Sequence, residues 1–249
     1  MNYLDLFNDK SELYAEARPT YPQDLYAFLV ENCRETENAW DCACGNGQSA
    51  ITSVEHFSHV NATDVSPNQI AHAFEHPRIT YAVCPSEKTP FDAATFDLVC
   101  IAQALHWMEY EAFWAEVKRV LKPGGIFAAW GYSWTTINAE IDAVVQIYLL
   151  DVIEPYWATQ NKLLWNHYRD VPVPFHMLET PTFVMREMWD LRQLITYFHT
   201  WSATRRCIDA LGEGFFNELY RQLLKVWGNA GESKEIDFDF CCVVGQHKL

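Results

Sequence analysis

The chain has 249 residues, of which 49 % are hydrophobic, so it is long enough for one large α/β domain or for one domain with a substantial insertion. Its 33 acidic and 18 basic residues give a formal net charge of −15, and because no run of lysines or arginines occurs, we expect no nucleic-acid partner. The segment 1–10 lacks the basic and apolar parts of a secretory signal, and no apolar run reaches the ~20 residues that span a bilayer. We therefore expect a cytoplasmic protein without a membrane partner, and the sequence leaves its oligomeric state open.

The eight cysteines form no Cys-x-x-Cys motif. Two close pairs lie in apolar stretches typical of strands: Cys42 and Cys44, and Cys241 and Cys242. Buried free thiols in a reducing compartment are the favoured interpretation, ahead of disulfides or a metal site. His72 and His76 are four residues apart in a predicted helix, but a third ligand is lacking, so we predict no metal.

The N-terminal segment contains a stretch with two prolines and one predicted helix. The prolines between Leu13 and Pro22 limit helix formation and favour an extended turn, and Pro22 can begin a helix that the apolar spacing extends over Gln23–Arg34. The guanidinium of Arg18 could bind a carboxylate of a ligand, but an ordinary surface charge is an equally good interpretation.

The stretch 39–48, Ala-Trp-Asp-Cys-Ala-Cys-Gly-Asn-Gly-Gln, is typical of a buried strand that ends in a glycine turn and opens a helix. Gly45 and Gly47 can adopt positive φ and let a ligand approach the backbone, and the helix N-terminus offers unpaired N–H groups. The pattern Gly45-x-Gly47-x-x-Ala50 also fits dinucleotide-binding proteins. Asp41 distinguishes a dinucleotide from S-adenosylmethionine. Its carboxylate would repel the pyrophosphate of a dinucleotide but attract the ammonium and sulfonium groups of S-adenosylmethionine. A turn without any ligand is the remaining interpretation.

Strands and helices alternate beyond this turn. Helices are predicted over 48–56, after Pro67 and over 109–121, and further strands over 59–63, 78–83, 95–102 and 126–130. Five strands that alternate with helices indicate a parallel, doubly wound sheet. Asp64 follows the glycine turn by the roughly 20 residues typical of a carboxylate that binds ribose hydroxyls, with helix capping as the alternative.

The second half of the chain is rich in aromatic residues. We predict a helix over 137–154, irregular structure over 155–181, a strand over 183–188, helices over 191–198 and 215–227, and a closing strand over 236–244. The predicted fold class is α/β, with a doubly wound, Rossmann-like, mostly parallel sheet of seven strands and a helical, aromatic-rich cover from the C-terminal half. The predicted organisation is a single domain over 1–249, made of an N-terminal cap helix segment (1–36), a cofactor-binding core (37–132), a cover or substrate region (133–235) and a closing strand (236–249).

Eight motifs, spread in order over nearly the whole chain, resemble one family. They are Tyr14-Ala-Glu-Ala-Arg18-Pro-Thr-Tyr-Pro22, Asp41-x-x-Cys-Gly-Asn-Gly47, Asp64-x-Ser, Pro85-Ser-Glu87-x-x-Pro-Phe, Phe96-Asp97-Leu-Val, Gln103-Ala-Leu-His106-Trp107, Arg119-Val-Leu-Lys-Pro-Gly-Gly125 and Tyr197-x-x-Thr200-Trp201-Ser202. The family is the class I methyltransferases that use S-adenosylmethionine, and within it the chain resembles the trans-aconitate methyltransferase-like group.

The resemblance implies S-adenosylmethionine as methyl donor, S-adenosylhomocysteine as product and a small molecule as acceptor. The glycine turn would cradle the methionine portion, Asp64 would bind the ribose hydroxyls and Val65 would pack on the adenine, with Gln103 lining the cleft. The implied cofactor-binding residues are Tyr14, Arg18, Asp41, Ala43, Gly45, Gly47, Asp64, Val65, Ser86, Glu87 and Gln103. Ala43 departs from the family, which usually has a third glycine there, and we expect weaker or shifted cofactor binding at worst.

His106, Arg18 and Trp107 are the candidate catalytic residues, and His106, Trp107, Trp201, Arg205 and Arg206 are the candidate substrate-binding residues. A carboxylate acceptor is already a nucleophile at neutral pH, so it would need little more than alignment and a local basic group. Arg18, Arg205, Arg206 and His106 are the candidates for that group. His106 could instead be a general base for a hydroxyl or amine acceptor, or a structural histidine packed beside Trp107.

Two other functions compete with methyl transfer. A nicotinamide-dependent oxidoreductase is suggested by the glycine pattern, although Asp41 and the lack of a Tyr-x-x-x-Lys pair argue against it. A binding module that holds the cofactor without turnover is suggested by Ala43. The fold alone does not identify the methyl acceptor or the type of atom that is methylated.

Overall fold

The computed structural model describes residues 18–248, which divide into two compact units. The first, here called the sheet unit, comprises residues 21–133, 162–184 and 240–248; the second, the helical unit, comprises residues 18–20, 134–161 and 185–239. Within the described part of the chain, no helix is long and apolar enough to cross a membrane, and no cluster of side chains is suited to hold a metal ion. All eight cysteines are described, and all are free thiols.

Parallel strands form most of the sheet unit. Its strands are β1 (Asn38–Cys42), β2 (His59–Asp64), β3 (Ile79–Val83), β4 (Phe96–Ala102), β5 (Leu121–Thr136), β6 (His176–Met177) and the second half of β8 (Lys234–Gln246). Their order is β3-β2-β1-β4-β5-β8-β6. The pairs β1–β2, β2–β3, β1–β4 and β4–β5 are parallel, and β6 pairs antiparallel with β8. This is the predicted Rossmann-like α/β fold.

Helices pack on both faces of this sheet. The helices of the sheet unit are α1 (Gln23–Asn32), α2 (Gln48–Ser53), α3 (Pro67–Ala71), α4 (Tyr110–Val120) and α7 (Asn161–Trp165). Phe127 of β5 lies with its ring centroid 6.2 Å from that of Phe113 in α4, whereas Trp130, which points the other way, lies 5.8 Å from Tyr26 in α1. Because side chains alternate along a strand, helices on both faces explain why β4 is buried over nearly its whole length.

The helical unit holds the remaining elements. They are α5 (Ala139–Val145), a π-helical turn (Gln146–Leu150), α6 (Asp151–Ile153), β7 (Met185–Trp189), α8 (Leu191–Thr200), α9 (Ser202–Leu211) and α10 (Gly214–Trp227). Strand β7 pairs antiparallel with the first half of β8. Helix α8 begins with a capping box, in which Asp190 accepts from the Gln193 N–H and the Gln193 side chain accepts from the Asp190 N–H.

The strand count differs from the prediction. Residues 18–248 form eight strands where the sequence analysis predicts seven, because β6 adds a pair of residues, His176 and Met177, beside β8. So short a strand shows no periodicity, and it forms only because β8 offers backbone partners to it. The sequence analysis also predicts neither α7 nor α9. Helix α7 is too short to show a periodicity, and α9 begins almost directly after the end of α8.

Asp97, at the start of β4, joins three parts of the sheet unit. One carboxylate oxygen accepts the backbone N–H groups of Glu37 and Asn38, at 3.0 and 2.9 Å, and the other lies 2.8 Å from Lys122 Nζ. Glu35 contacts the same ammonium at 3.1 Å, but its side chain is 62 % exposed whereas that of Asp97 is 4 % exposed. Asp97 therefore aligns the start of β1 with β4 from a buried position.

We predict that Asp97→Ala lowers the free energy of unfolding by about 3 kcal/mol, because it leaves two N–H groups and an ammonium without their buried acceptor. Glu35→Ala is the matched control at the same lysine, and its expected cost is below about 0.5 kcal/mol, as for other exposed ion pairs. Urea denaturation of both variants measures the difference. Equal costs would contradict this account of β1 and β4.

Candidate functional site

The sheet order has its reversal point at the carboxyl ends of β1 and β4, beside that of β2. The chain continues from β1 to β2 and β3 on one side, and β4 and β5 pair on the other side, so the order reverses between β1 and β4. Asp41 lies opposite Cys100 in β4 and opposite Ala62 in β2. Open α/β sheets bind ligands outside the carboxyl ends of their strands at such a reversal.

The turn after β1 is built from residues with left-handed backbone. Ala43, Gly45 and Gly47 have φ values of 53°, 57° and 85°, and Gly47 is the N-cap of α2. A Cβ at Gly47 would overlap the Tyr81 hydroxyl, whereas a Cβ at Gly45 would meet no atom within 4 Å. Gly47 is thus required by both its conformation and its neighbour, and Gly45 by its conformation alone.

Asp64 ties the end of β2 to this turn. One carboxylate oxygen accepts the Gly45 N–H at 2.9 Å, and the other accepts the Ser66 N–H at 2.8 Å. The Cys44 N–H donates to the Thr63 carbonyl at 2.9 Å, which adds a second link between the same two segments. Asp64 is half-buried, and each of its oxygens keeps a lone pair that could accept from a ligand hydroxyl.

Asp41 lies behind the turn and is fully buried. Its carboxylate accepts from the Ala50 N–H in α2 and from the Cys100 thiol at 3.8 Å, but Oδ2 is sealed from solvent and has no partner among residues 18–248. Burial, reinforced by the charge of Asp64, raises the pKa of Asp41 to about 7. A carboxylate held in this state is suited to a positively charged ligand, because a nearby cation would favour its ionised form.

The residues expected around an adenine lie at the ends of β2 and β3. Val65 is 68 % exposed directly after β2. Ser86 is buried in the loop after β3 and hydrogen-bonds to the Cys42 thiol, and Glu87 accepts from the Glu109 N–H at 3.4 Å. An exposed valine beside polar groups offers a flat apolar surface and hydrogen-bonding atoms.

The residues after β4 lie next to β5 and to the segment after α7. Gln103 has a φ of 57°, and its side-chain amide donates to the Tyr132 carbonyl at 2.9 Å. His106 is buried, with Nδ1 3.2 Å from the Tyr168 hydroxyl, and burial lowers its pKa to about 4. Trp107 is 46 % exposed. His106 is therefore neutral near pH 7 and supplies no positive charge to an acceptor.

Four further candidates belong to the helical unit. Trp201 precedes α9, and its ring packs with those of Trp157 and Trp134, at centroid distances of 5.7 and 6.2 Å. Arg205 and Arg206 are exposed on α9, and Arg206 donates to a backbone carbonyl, that of Tyr156, at 3.0 Å. The fourth, Arg18, is exposed, whereas Tyr14 lies outside the described residues.

Two tyrosines at this site carry no signal in the sequence. Tyr81 packs against Gly47 from β3, and Tyr168 reaches His106 across 62 residues of chain. Neither belongs to a motif, and both contacts depend on tertiary structure. Only the pairing of β2 with β3 and the turn after α7 bring these hydroxyl groups to the site.

We predict that the three left-handed positions of the glycine turn respond differently to substitution. Ala43→Gly should raise the free energy of unfolding by about 1 kcal/mol, because it removes the strain of an alanine at positive φ. Gly45→Ala should cost about 1 kcal/mol for the same reason, and Gly47→Ala clearly more, because it adds a clash with Tyr81. Thermal unfolding of the three variants measures these changes, and a cost of Gly47→Ala no larger than that of Gly45→Ala would contradict the assigned packing.

Comparison with known proteins supports one family. A model described as a methyltransferase domain matches residues 40–129, which contain the glycine turn and the residues after β4. A solved chain of Anaeromyxobacter dehalogenans, assigned as a type II methyltransferase, is 34 % identical, has a TM-score of 0.86 and covers 93 % of this chain and 98 % of its own length. A Dictyostelium discoideum protein assigned as a methyltransferase is 29 % identical over 241 residues, which are 95 % of this chain and 92 % of that relative.

A third similarity supports the fold alone. The structure of a chain assigned as a methyltransferase from Bacillus halodurans is 17 % identical, with a TM-score of 0.51 over 90 % of this chain and 99 % of its own. The relative from Anaeromyxobacter carries more weight, because it combines high identity with nearly complete coverage of both chains. With this similarity, the strand order and the glycine turn all in agreement, the chain belongs to the class I methyltransferases, whose methyl donor is S-adenosylmethionine.

Proposed function

We propose that this methyltransferase transfers the methyl group to a carboxylate oxygen of a small organic acid, as its resemblance to the trans-aconitate methyltransferase-like group implies. One observation carries the proposal. His106, which follows β4, is buried and its Nδ1 lies 3.2 Å from the Tyr168 hydroxyl, so this ring nitrogen is engaged, and burial lowers the pKa of the side chain to about 4. A hydroxyl acceptor, or an amine that arrives protonated, would depend on a base, whereas a carboxylate is already ionised and needs none.

The cofactor would bind at the glycine turn. Asp64 would accept the ribose hydroxyls through its remaining lone pairs, and Val65 would pack on the adenine, with Ser86 and Glu87 beside it. Asp41 would act on the positively charged end of the cofactor across the turn, since charges influence one another over about 4–6 Å without direct contact. The bound cofactor supplies an electrophilic methyl group.

The protein's own contribution would then be alignment. Holding an acceptor oxygen in line with the methyl group can account for about 7–11 kcal/mol of a reaction barrier. Gln103 is well suited to a rigid wall of this site, because its backbone N–H donates to the Trp130 carbonyl at 2.8 Å and its side chain donates to the Tyr132 carbonyl. A rigid wall keeps the reacting atoms in place without an acid or a base.

We predict that the affinity for S-adenosylmethionine rises about three- to tenfold between pH 6 and pH 8. A cation favours the ionised form of Asp41, whose pKa burial raises to about 7, so binding below that pH releases a proton. The rise should be smaller for S-adenosylhomocysteine, which lacks the sulfonium charge. Calorimetric titration in buffers of different ionisation enthalpy measures both the affinity and the proton release.

Asp41→Asn is the control for this pH dependence. It keeps the shape of the side chain but cannot ionise, so its affinity should be weaker at pH 8 and constant over the same range. In the unliganded protein, the raised pKa of Asp41 also makes the free energy of unfolding fall as pH rises from about 4 to about 7, because the folded state binds the extra proton. If the affinity of Asp41→Asn for S-adenosylmethionine changes with pH as that of the native chain does, Asp41 is not the group responsible for the pH dependence.

We predict that Arg205→Gln raises the KM for trans-aconitate about tenfold and leaves the affinity for S-adenosylhomocysteine unchanged. Arg205 is exposed, and its guanidinium has no hydrogen bond or ion pair with the described residues, so it is available to a carboxylate. The matched control is Arg221→Gln on α10, whose arginine is exposed but pairs with Glu218 at 2.8 Å. An equal rise in the KM for trans-aconitate in both variants would contradict a specific role for Arg205.

The decisive first measurement is calorimetric titration with S-adenosylhomocysteine in the presence of small di- and tricarboxylates. Tighter cofactor binding with one acid would support the carboxylate acceptor. Cofactor binding that is indifferent to every acid would keep methyl transfer and reject the carboxylate. Cofactor binding together with no turnover on any acceptor would favour a binding module instead.

A further inference from the structure

His106 and Tyr168 form a buried pair in the sheet unit. The His106 side chain lies in the short helical turn after β4, and the Tyr168 hydroxyl is 3.2 Å from its Nδ1. The two rings are stacked, with centroids 6.1 Å apart and planes inclined by 23°. His106 is 5 % exposed and Tyr168 is 1 % exposed, so no water competes strongly for this contact.

The backbone that carries Tyr168 is strained. His167 and Tyr168 both have positive φ, 54° and 57°, although neither is glycine. The N–H groups of these residues cap α7 by donating to the carbonyls of Leu164 and Leu163, each at 2.8 Å. A helix end of this kind usually contains glycine, and the structure instead holds two bulky residues in that conformation.

The direction of the hydrogen bond follows from the needs of the phenol. Burial raises the pKa of Tyr168 well above its usual value, so the hydroxyl keeps its proton. A buried O–H without an acceptor is costly, and within residues 18–248 the structure gives this hydroxyl one partner, His106 Nδ1. The hydroxyl therefore donates to Nδ1. In neutral histidine the proton then lies on Nε2.

We infer that Tyr168 is a positioning residue, which holds His106 in the Nε2–H form so that His106 donates a hydrogen bond to the methyl acceptor instead of removing a proton from it. Nε2 makes no hydrogen bond within the described chain, so it is available to a ligand. The inference rests on the proposed function, in which the acceptor binds beside His106. No proton is transferred in this scheme, because the acceptor oxygen enters as an anion and leaves as an ester.

This assignment narrows the class of acceptor. A donor at Nε2 matches an oxygen that bears lone pairs and is already deprotonated, such as one oxygen of a carboxylate, while the other oxygen receives the methyl group. An alcohol or an amine would bring a proton for which the site offers no acceptor at this histidine. The neutral form of His106 thus selects against acceptors that require a base.

Nuclear magnetic resonance tests the assignment without any acceptor. In protein labelled with ¹⁵N-histidine, two-bond ¹H–¹⁵N correlation spectra should show His106 with Nε2 protonated and Nδ1 unprotonated at pH 7, identified by its loss in His106→Gln. Tyr168→Phe keeps the ring but removes the hydroxyl, and should convert His106 to a mixture of both neutral forms. Tyr110→Phe is the control, because the Tyr110 hydroxyl is buried without a partner among the described residues and its removal should leave the His106 signals in place. A dominant Nδ1–H form in the native chain would overturn the inference.

Kinetics with trans-aconitate separates a hydrogen-bond donor from a base. The side-chain amide of His106→Gln can donate from about the position of Nε2 but cannot act as a base, whereas His106→Leu can do neither. We expect turnover within about tenfold of the native value for His106→Gln and a loss of about 100-fold or more for His106→Leu. A general base predicts losses of roughly 10²–10⁴-fold in both, and that result would reject the donor role.

A control keeps this test distinct from the proposed function. Affinity for S-adenosylhomocysteine, measured for every variant, should stay near the native value, which shows that the cofactor site is intact. If the native protein methylates no carboxylate, the proposed acceptor is wrong, and the ¹⁵N spectra alone then decide the form of His106. If the native protein shows Nε2–H and Tyr168→Phe shows the same form, another group positions His106. That result would also reject the inference.

Discussion

The carboxylate of Asp64 is the contact on which the glycine turn depends. It receives backbone N–H groups from both the glycine turn and the residues after β2, so the ends of two parallel strands are joined through one side chain. The turn itself has three residues with left-handed backbone, of which Ala43 is strained because it is not glycine. A residue whose expected role is ribose binding thus also holds together the loop beside which the ribose would lie.

Burial determines how the ionisable groups of the site behave. Asp41 and His106 are both withdrawn from solvent, and burial opposes charge on each, so the carboxylate is less acidic and the imidazole less basic than usual. The site therefore holds one carboxylate that a cation can ionise and one histidine that stays neutral. This combination is suited to a positively charged donor and an acceptor that needs no base.

The two units contribute different chemistry. The sheet unit holds the glycine turn, Asp64 and His106, which follow the ends of β1, β2 and β4, and Tyr168, which lies in the turn after α7. The helical unit holds the tryptophan cluster and the exposed arginines of α9. The family model covers the glycine turn, Asp64 and His106 but not Tyr168 or α9, and one scaffold serves many acceptors.

The sequence by itself determined the α/β class and most strand positions, because apolar periodicity and the glycine turn are local signals, and the family followed from the resemblance of eight motifs. It missed β6, since a pair of residues has no periodicity, and it missed the strain at Ala43, since φ depends on how the turn is held. Only the tertiary structure decided that Asp41 lies behind the turn, that Tyr81 packs on Gly47 and that Tyr168 meets His106. These contacts join residues far apart in the chain, and burial, which sets the pKa of Asp41 and of His106, is a property of the packed protein and not of any local pattern.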